Sequence, residues 1–262
     1  MNNLELKMVA LLKDLKENHA VPELKMEFEA EASRMDEAMR LKEIAERADL
    51  GLVVKIGGCE AITDMFNAQL LGASCIIAPM IESSYALKKY IQAIERYFPP
   101  DVRKNTVFGF NLETYLAYQN INEILKTNGA EIISTVTLGR VDLVGSMGLT
   151  RAEINSERIL RMAQSLFTRL KKEGLRTTMG GGISVEAIPF IQKLSAKLLN
   201  RFETRKVVFN TPKRFDQKKV KKGILKAVEF ELLWLKNKKN YYSTIAHEDG
   251  ARIKMLEGRL QA

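Results

Sequence analysis

The chain has 262 residues, 46% of them hydrophobic and 28% charged, which excludes an intrinsically disordered protein and suits one large domain with at most a small appendage. Two cysteines, Cys59 and Cys75, cannot build a disulfide scaffold and lack zinc-site spacing. Lys and Arg number 41 against 32 Asp and Glu, a formal net charge of +9, the kind of surplus seen in proteins that meet nucleic acid, anionic membrane or anionic metabolites.

Residues 3 to 17 read as a surface helix, with Leu4, Leu6, Val9, Leu12 and Leu15 at helical spacing. The first twenty residues alternate acid and base, unlike a signal peptide. No apolar run reaches the roughly 18 residues of a membrane span, so no membrane association and a cytoplasmic location are expected. Strands are predicted at 24–31, 52–57, 74–82, 105–113, 130–139, 176–182 and 201–209, the third stopping by Pro79, which lacks a ladder donor. Amphipathic helices fit between them, at 35–48, 60–71, 84–97, 115–128, 153–173 and 184–198. Repeated βα units argue for a parallel sheet with helices outside it. The length suits a (β/α)8 TIM barrel, which needs about 250 residues. Seven strands are counted; a closed barrel requires an eighth, from the N-terminal region or beyond 209, and an open doubly wound sheet fits nearly as well. No GxGxxG follows the first strand, so the Rossmann fingerprint is missing.

Past residue 210 lysines crowd beside an apolar stripe of Val220, Ile224, Val228, Leu232 and Leu235, with Trp234 adjoining. This predicts a long amphipathic helix, then a short helix and a frayed tail. The chain thus divides into a barrel over 1–210 and a C-terminal helical extension over 211–262.

Glu29, Glu31, Lys55, Glu82, Glu113 and Asp142 fall near C-terminal strand ends, the edge that holds active sites in parallel α/β proteins. Glu113 and Asp142 lie on consecutive βα units. They can share one hard divalent cation whose shell is completed by water and substrate oxygens, or they can serve as helix and turn caps. The segment 139–148, GRVDLVGSMG, reads as a loop in which Gly145 and its fellow glycines allow close ligand approach beside Ser146, or simply make turns. Lys55 is a Schiff-base nucleophile if burial lowers its pKa, a fixed cation for a carboxylate or enolate oxygen, or a solvated strand end. Arg205 and Lys206 are adjacent in a strand pattern, so only one can face a barrel interior. The glycines of 180–182 form an anion nest or a flexible turn. His19 and His247 stand apart from these positions, which disfavours histidine-rich zinc chemistry, and no GxSxG elbow occurs.

In order and spacing, VVKIGGCEAI (53–62), LLGASCIIAPMIES (70–83), FNLET (110–114) and GRVDLVGSMG (139–148) resemble the HpcH/HpaI aldolase and citrate lyase β-subunit family of the pyruvate/phosphoenolpyruvate barrel superfamily, over roughly residues 24 to 200. The resemblance implies Mg²⁺ or Mn²⁺ held by Glu113 and Asp142, and a pyruvate-like enolate stabilised by Lewis-acid catalysis. It implies a substrate-contacting role for Lys55, where the family usually has arginine. Asn111 stands where these aldolases often have glutamine. The strand that commonly carries a glutamate–histidine pair reads KMEFEAEASR here, without a histidine. Glu29, Glu82 and Asn111 then shape the site, and one of them or a water relays the proton. Gly145, Ser146 and Arg205 are expected at the substrate. A C-terminal helix often packs on a neighbouring subunit in this family, so a homo-oligomer is expected.

The leading expectation is a metal-dependent lyase or aldolase acting on an anionic small molecule. Citrate-forming, thioester or phosphoenolpyruvate chemistry on the same barrel is one alternative, and a lysine-dependent class I aldolase another. A non-enzymatic RNA- or lipid-binding role for the basic tract near 218–239 is the last; the lysines there are not interleaved with aromatics as stacking platforms would be.

Overall fold

The computed structural model describes residues 1–261. Helix α1 (Asn3–His19) opens on a capping box: the Asn2 side chain accepts from the Glu5 N–H, and the Glu5 carboxylate accepts from the Asn2 N–H. The chain continues through β1 (Glu23–Glu27), α2 (Met35–Arg47), β2 (Gly51–Lys55), α3 (Ile62–Leu70), β3 (Cys75–Ala78), α4 (Ser84–Tyr97), α5 (Pro100–Asn105), β4 (Val107–Leu112) and α6 (Tyr115–Leu125). Then follow β5 (Ile133–Gly139), α7 (Arg140–Ser146), α8 (Glu157–Lys172), β6 (Arg176–Gly180), α9 (Ile188–Leu198), β7 (Arg201–Glu203), β8 (Val207–Asn210) and α10 (Gln217–Leu260).

The eight strands close into a barrel in sequence order, a TIM-type architecture. Strands β1 to β7 run parallel to their successive neighbours. The eighth strand lies inside the run 201–209 that reads as one strand. There the chain doubles back: β7 and β8 pair antiparallel, and β8 closes antiparallel on β1. The turn, Thr204 to Lys206, contains no Gly or Pro to betray it. Thr204 makes it instead, its N–H bonding to the Val207 carbonyl at 3.0 Å and its hydroxyl accepting from the Val207 N–H at 3.2 Å. A hairpin therefore replaces the last crossover helix. Arg205 and Lys206 sit on this turn, so they are not a strand pair facing opposite ways.

Alternation along the strands sorts the two faces. Leu24 and Met26 point outward and pack beneath the helices in the main core. Val53, Cys75, Ile77 and Val208 point inward and form a small separate apolar layer. The rest of the interior is polar. Lys25, Glu27, Lys55, Asn111, Thr135, Thr137, Thr178 and Glu203 are all buried.

The C-terminal extension is one continuous helix rather than a helix and a frayed tail. Asp216 caps it, accepting from the Lys218 and Lys219 N–H groups. Its buried face is Val220, Gly223, Ile224, Ala227, Phe230 and Trp234. Val228, Leu232 and Leu235, expected on that stripe, are about half exposed. A pattern taken every fourth residue drifts by roughly 40° a step on a helix of 3.6 residues per turn, and so leaves the buried side. No helix among the described residues is long and apolar enough to cross a membrane.

Candidate active site

A cavity of about 460 Å³ opens at the C-terminal ends of the strands. Six of its lining residues are acids (Glu27, Glu29, Glu113, Asp142, Glu203 and Glu231) and four are bases (Lys25, Lys55, Arg151 and Arg205). A basic chain has folded around an acid-rich pocket, the setting in which a divalent cation is favoured.

The innermost charge is Lys25. Its Nζ lies 3.0 Å from Glu27 Oε1 and also bonds Glu203 Oε1, joining β1 to β7 across the closure of the barrel. Burial pulls the Lys25 pKa down, but Glu203 and Glu27 more than offset it and hold the ammonium well above its usual range. Burial pushes the Glu27 carboxyl up, and Lys25, with smaller help from Lys55 and Arg205, brings it below the ordinary glutamate value.

Nearer the mouth, Lys55 Nζ stands 2.9 Å from Glu29 Oε2 and 3.6 Å from Glu113 Oε1. Burial works against its charge, yet Glu113, Glu29 and Glu27 raise its pKa overall. A Schiff base needs the neutral amine, and this environment favours the ammonium.

Glu113 follows β4 and is only 2% exposed. Asn111 Nδ2 donates to its Oε2 at 3.1 Å, and the Met80 N–H donates to its Oε1 at 3.1 Å. Met80 takes a left-handed φ of 50° to do so, unusual for a side chain of its size. On the other side Gly139 must be glycine: an added Cβ would stand 2.8 Å from Glu113 Oε2. Desolvation raises the Glu113 pKa, Lys55 and the two hydrogen bonds pull it back, and the charge of Asp142 raises it further; the balance is upward. Asp142 itself is exposed and lines the cavity.

Asp142 lies in the first turn of α7, so the segment 139–148 is largely helical rather than a loop. Arg140, two residues before it, is fully buried and has no carboxylate partner among the described residues. Its guanidinium donates to the carbonyls of Gly180 (3.3 Å), Gly181 (2.8 Å), Gly182 (3.3 Å) and Ile154 (3.3 Å) and to Asn155 Oδ1 (2.7 Å). It also stacks 4.8 Å above the Phe190 ring. Burial pulls its pKa down to about 10. The glycines let the backbone come this close: at Gly181 (φ 73°) an added Cβ would lie 2.7 Å from the N–H nitrogens of Arg140 and Val141. The triple-glycine run is therefore a fixed wall of the cavity, tied to the start of α7.

Of the residues singled out in the sequence, Glu29, Lys55, Asn111, Glu113, Asp142 and Arg205 line this cavity together. Arg205 also meets Glu31 at 3.2 Å. Glu31, Glu82, Gly145, Ser146 and Lys206 do not line it. Glu82 accepts from the Thr114 hydroxyl at 2.6 Å, and so fastens the residue that caps α6. Ser146 donates to the Leu143 carbonyl at 2.7 Å and accepts from the Tyr115 N–H at 2.8 Å. Gly145 and Ser146 follow Asp142 by three and four residues along α7, about 4.5–6 Å further from the strand end. Lys206 is buried against Glu31 at 2.5 Å, with the Trp234 ring 5.8 Å away. Lys25, Glu203 and Arg151 were not expected here, nor were Val228 and Glu231 of α10, which complete the cavity wall; Arg140, equally unexpected, is bonded behind that wall. The signal for Lys25 was present: ELKME alternates charge with apolar residues, as a strand with one face on a polar barrel interior must.

Fold and cavity together define a TIM-type barrel with a lysine-bearing, carboxylate-rich pocket at its strand ends. The chain belongs to the HpcH/HpaI aldolase/citrate lyase family, an enzyme family whose model matches residues 19–178, more than half of its length. An HpcH/HpaI aldolase from Desulfitobacterium hafniense DCB-2 superposes with a TM-score of 0.59 at 14% identity, over 77% of this chain and 82% of that one. An HpcH/HpaI aldolase/citrate lyase family protein from Burkholderia cenocepacia J2315 gives 0.60 at 16%, over 76% and 83%. The citrate synthase SbnG gives 0.61 at 16%, over 90% of each chain. At these identities the likeness is one of fold. No curated protein sequence matches the chain.

Replacing Arg140 with methionine leaves the carbonyls of 180–182 and 154 without their donor, at about 1–3 kcal/mol for each buried acceptor left unsatisfied. Denaturant unfolding of Arg140→Met is expected to show a loss of at least about 3 kcal/mol, with faster amide exchange at 180–183 and 151–155. Unchanged stability and exchange would mean the guanidinium is not what fixes this wall.

Proposed function

We propose that the chain is a divalent-metal-dependent carbon–carbon lyase or aldolase acting through a pyruvate-like enolate on a 2-keto acid or sugar-acid-type anion. The observation that carries this reading is the Glu113 carboxylate. It is almost wholly buried, its pKa is raised by that burial, and the one cation paired with it among the described residues, Lys55, is 3.6 Å away and shared with Glu29. A carboxylate in this state gains from a second, closer cation, and Asp142 lines the same cavity. Hard oxygen donors suit Mg²⁺ or Mn²⁺. No group of three or more potential protein ligands occurs among the described residues, and Mg²⁺ commonly takes only one or two carboxylates and fills its shell with water and substrate oxygens. Bound there, the ion supplies Lewis-acid stabilisation of negative charge on the enolate.

The protein's own groups then have distinct tasks. Lys55, kept as an ammonium, neutralises charge growing on the keto oxygen. Asn111 and the Met80 N–H hold Glu113 in one orientation. In the condensing direction one methyl proton leaves the keto acid, the new C–C bond forms at the acceptor carbonyl, and the acceptor oxygen takes up a proton. No histidine lines the cavity, so proton transfer falls to a water or to a carboxylate, with Glu29 bonded to Lys55 at the rim.

Glu113→Gln and Asp142→Asn should each cut divalent-dependent deuterium exchange into the pyruvate methyl group by at least about a hundredfold, beyond the roughly 10–100-fold cost of losing a residue behind a ligand. In the wild type, Mn²⁺ affinity should weaken on acidification starting above the ordinary glutamate range, because a proton competes for a carboxyl whose pKa is raised. Retained metal binding and exchange in both variants would refute the ligand assignment.

We further propose that the chain forms a homo-oligomer through α10. Leu225, Val228, Leu232 and Leu235 are each about half exposed and spaced three and four apart. Ile253, Leu256 and Leu260 resume the same phase, also exposed. Leu225→Lys with Leu232→Lys alters only this exposed seam. The wild type is expected to sediment as an oligomer and the double variant as a monomer; a monomeric wild type, or an unchanged mass in the variant, would exclude the seam.

A further inference from the structure

A second cavity, of about 310 Å³, lies at the opposite end of the barrel, where α1 runs into β1 and β8 runs toward α10. Its inner wall is apolar: Phe202 and Phe209, whose rings stack 4.9 Å apart and nearly parallel, with Pro212 and Val220 beside them. His19, the last residue of α1, adds a third aromatic ring. The imidazole and Phe209 both close on Gly223 of α10, where an added Cβ would stand 3.0 Å from His19 Nδ1 and 3.2 Å from Phe209 Cε1. His19 Nδ1 lies 3.1 Å from the Lys219 carbonyl and donates to it, so the neutral ring keeps Nε2 as an acceptor. Burial pulls the His19 pKa below its usual value, which leaves the ring neutral at pH 7.

The rim is cationic. Lys16, Arg214 and Lys219 stand there against Glu17 and Asp216. Lys16 is engaged by Asp49, and the Asp216 carboxylate by the N–H groups of Lys218 and Lys219. The N-terminus of α10 is therefore already capped and is not what would attract a ligand. Arg214 and Lys219 remain: both are exposed, and among the described residues no carboxylate pairs with either. None pairs with the nearby Lys213, Lys218, Lys221 or Lys222, so the net field over the opening is positive.

We propose that this cavity binds a small aromatic anion: one flat ring system carrying a phosphate or carboxylate, as in a nucleoside monophosphate or an aryl carboxylate. Its volume is at the lower end of the roughly 300–1,000 Å³ of small-molecule sites, which suits one ring system with its anion and not a dinucleotide. The aromatic and apolar walls take the ring. Arg214 and Lys219 take the anion, the guanidinium through a bidentate pair. A bare phosphate gains nothing from the walls, and an uncharged ring gains nothing from the rim. The cavity shares no lining residue with the one at the strand ends, and the proposal stands whether or not the enolate reading holds.

The test is calorimetric titration of the full chain with adenosine monophosphate, naphthoate, adenosine and inorganic phosphate, at about 0.15 M salt, where exposed charges are screened beyond roughly 8 Å. At least one of the two aromatic anions should bind one to one, with adenosine and phosphate at least about tenfold weaker, the equivalent of one charged hydrogen bond. Arg214→Gln with Lys219→Gln should weaken that binding by at least about tenfold. Lys221→Gln with Lys222→Gln removes the same charge outside the cavity and should stay within about twofold. Hydrogen exchange should show the ligand protecting amides of 16–20 and 209–223 and leaving those of 111–113 unchanged. Binding of the monophosphate alone supports a nucleotide as the source, and binding of naphthoate alone an aryl acid. No binding of either anion, adenosine or phosphate binding as tightly as they do, equal losses in the two double variants, or protection confined to the strand-end cavity would overturn the site.

Discussion

Charge buried inside a barrel has to be matched, and the interior of this protein is arranged around that requirement. Lys25 answers two carboxylates and Lys55 answers two more. The first group spans the seam between β1 and β7, next to the hairpin that closes the sheet. The second spans β2, the segment after β1 and the end of β4. Breaking such a buried pair by removing one partner costs about 3–5 kcal/mol, because the other charge is left uncompensated. The same contacts that complete the fold therefore hold the ionic side chains of the cavity in position. Compensation is incomplete at Glu113, whose pKa remains raised, and this is where a cation from solution has most to gain.

Arg140 solves the opposite problem. It is a buried cation without an acid, surrounded by carbonyl oxygens. By gathering the three glycine carbonyls, Ile154 and Asn155 around one guanidinium, it joins the ends of β5 and β6 to the turn that starts at Arg151. Asp142 and Arg151 lie between Arg140 and the Ile154 and Asn155 acceptors it bonds, so both sit on the segment that this anchor closes. Helix α10 adds the last wall through Val228 and Glu231. The C-terminal extension is thus part of the pocket, although most of its lysines face solvent. The chain's net charge of +9 describes its outside, while its pocket is acidic.

Much of this could be read from the sequence because strand and helix periods are strong where one face is buried. The first six strands and the helices between them follow that rule. The closure did not show, since RFETRKVVF hides a hairpin whose turn is made by a threonine hydroxyl instead of Gly or Pro. Segment 139–148 looks like a loop because its glycines suggest turns, whereas α7 uses Gly139 as its N-cap. Glu82 sits at a strand end like Glu113, but its side chain is taken by Thr114, a contact that depends on the packing of two βα units. Arg140 carries no local signal of burial strong enough to overcome the usual exposure of charged residues.

The most direct test is an anomalous-scattering map from crystals soaked with Mn²⁺ and pyruvate. The account predicts one strong manganese peak bound by Glu113 and Asp142, with pyruvate oxygens completing its shell and the Lys55 ammonium within hydrogen-bonding distance of the keto oxygen. A peak at Glu27 and Glu203 instead, or no ordered manganese at Glu113, would contradict it.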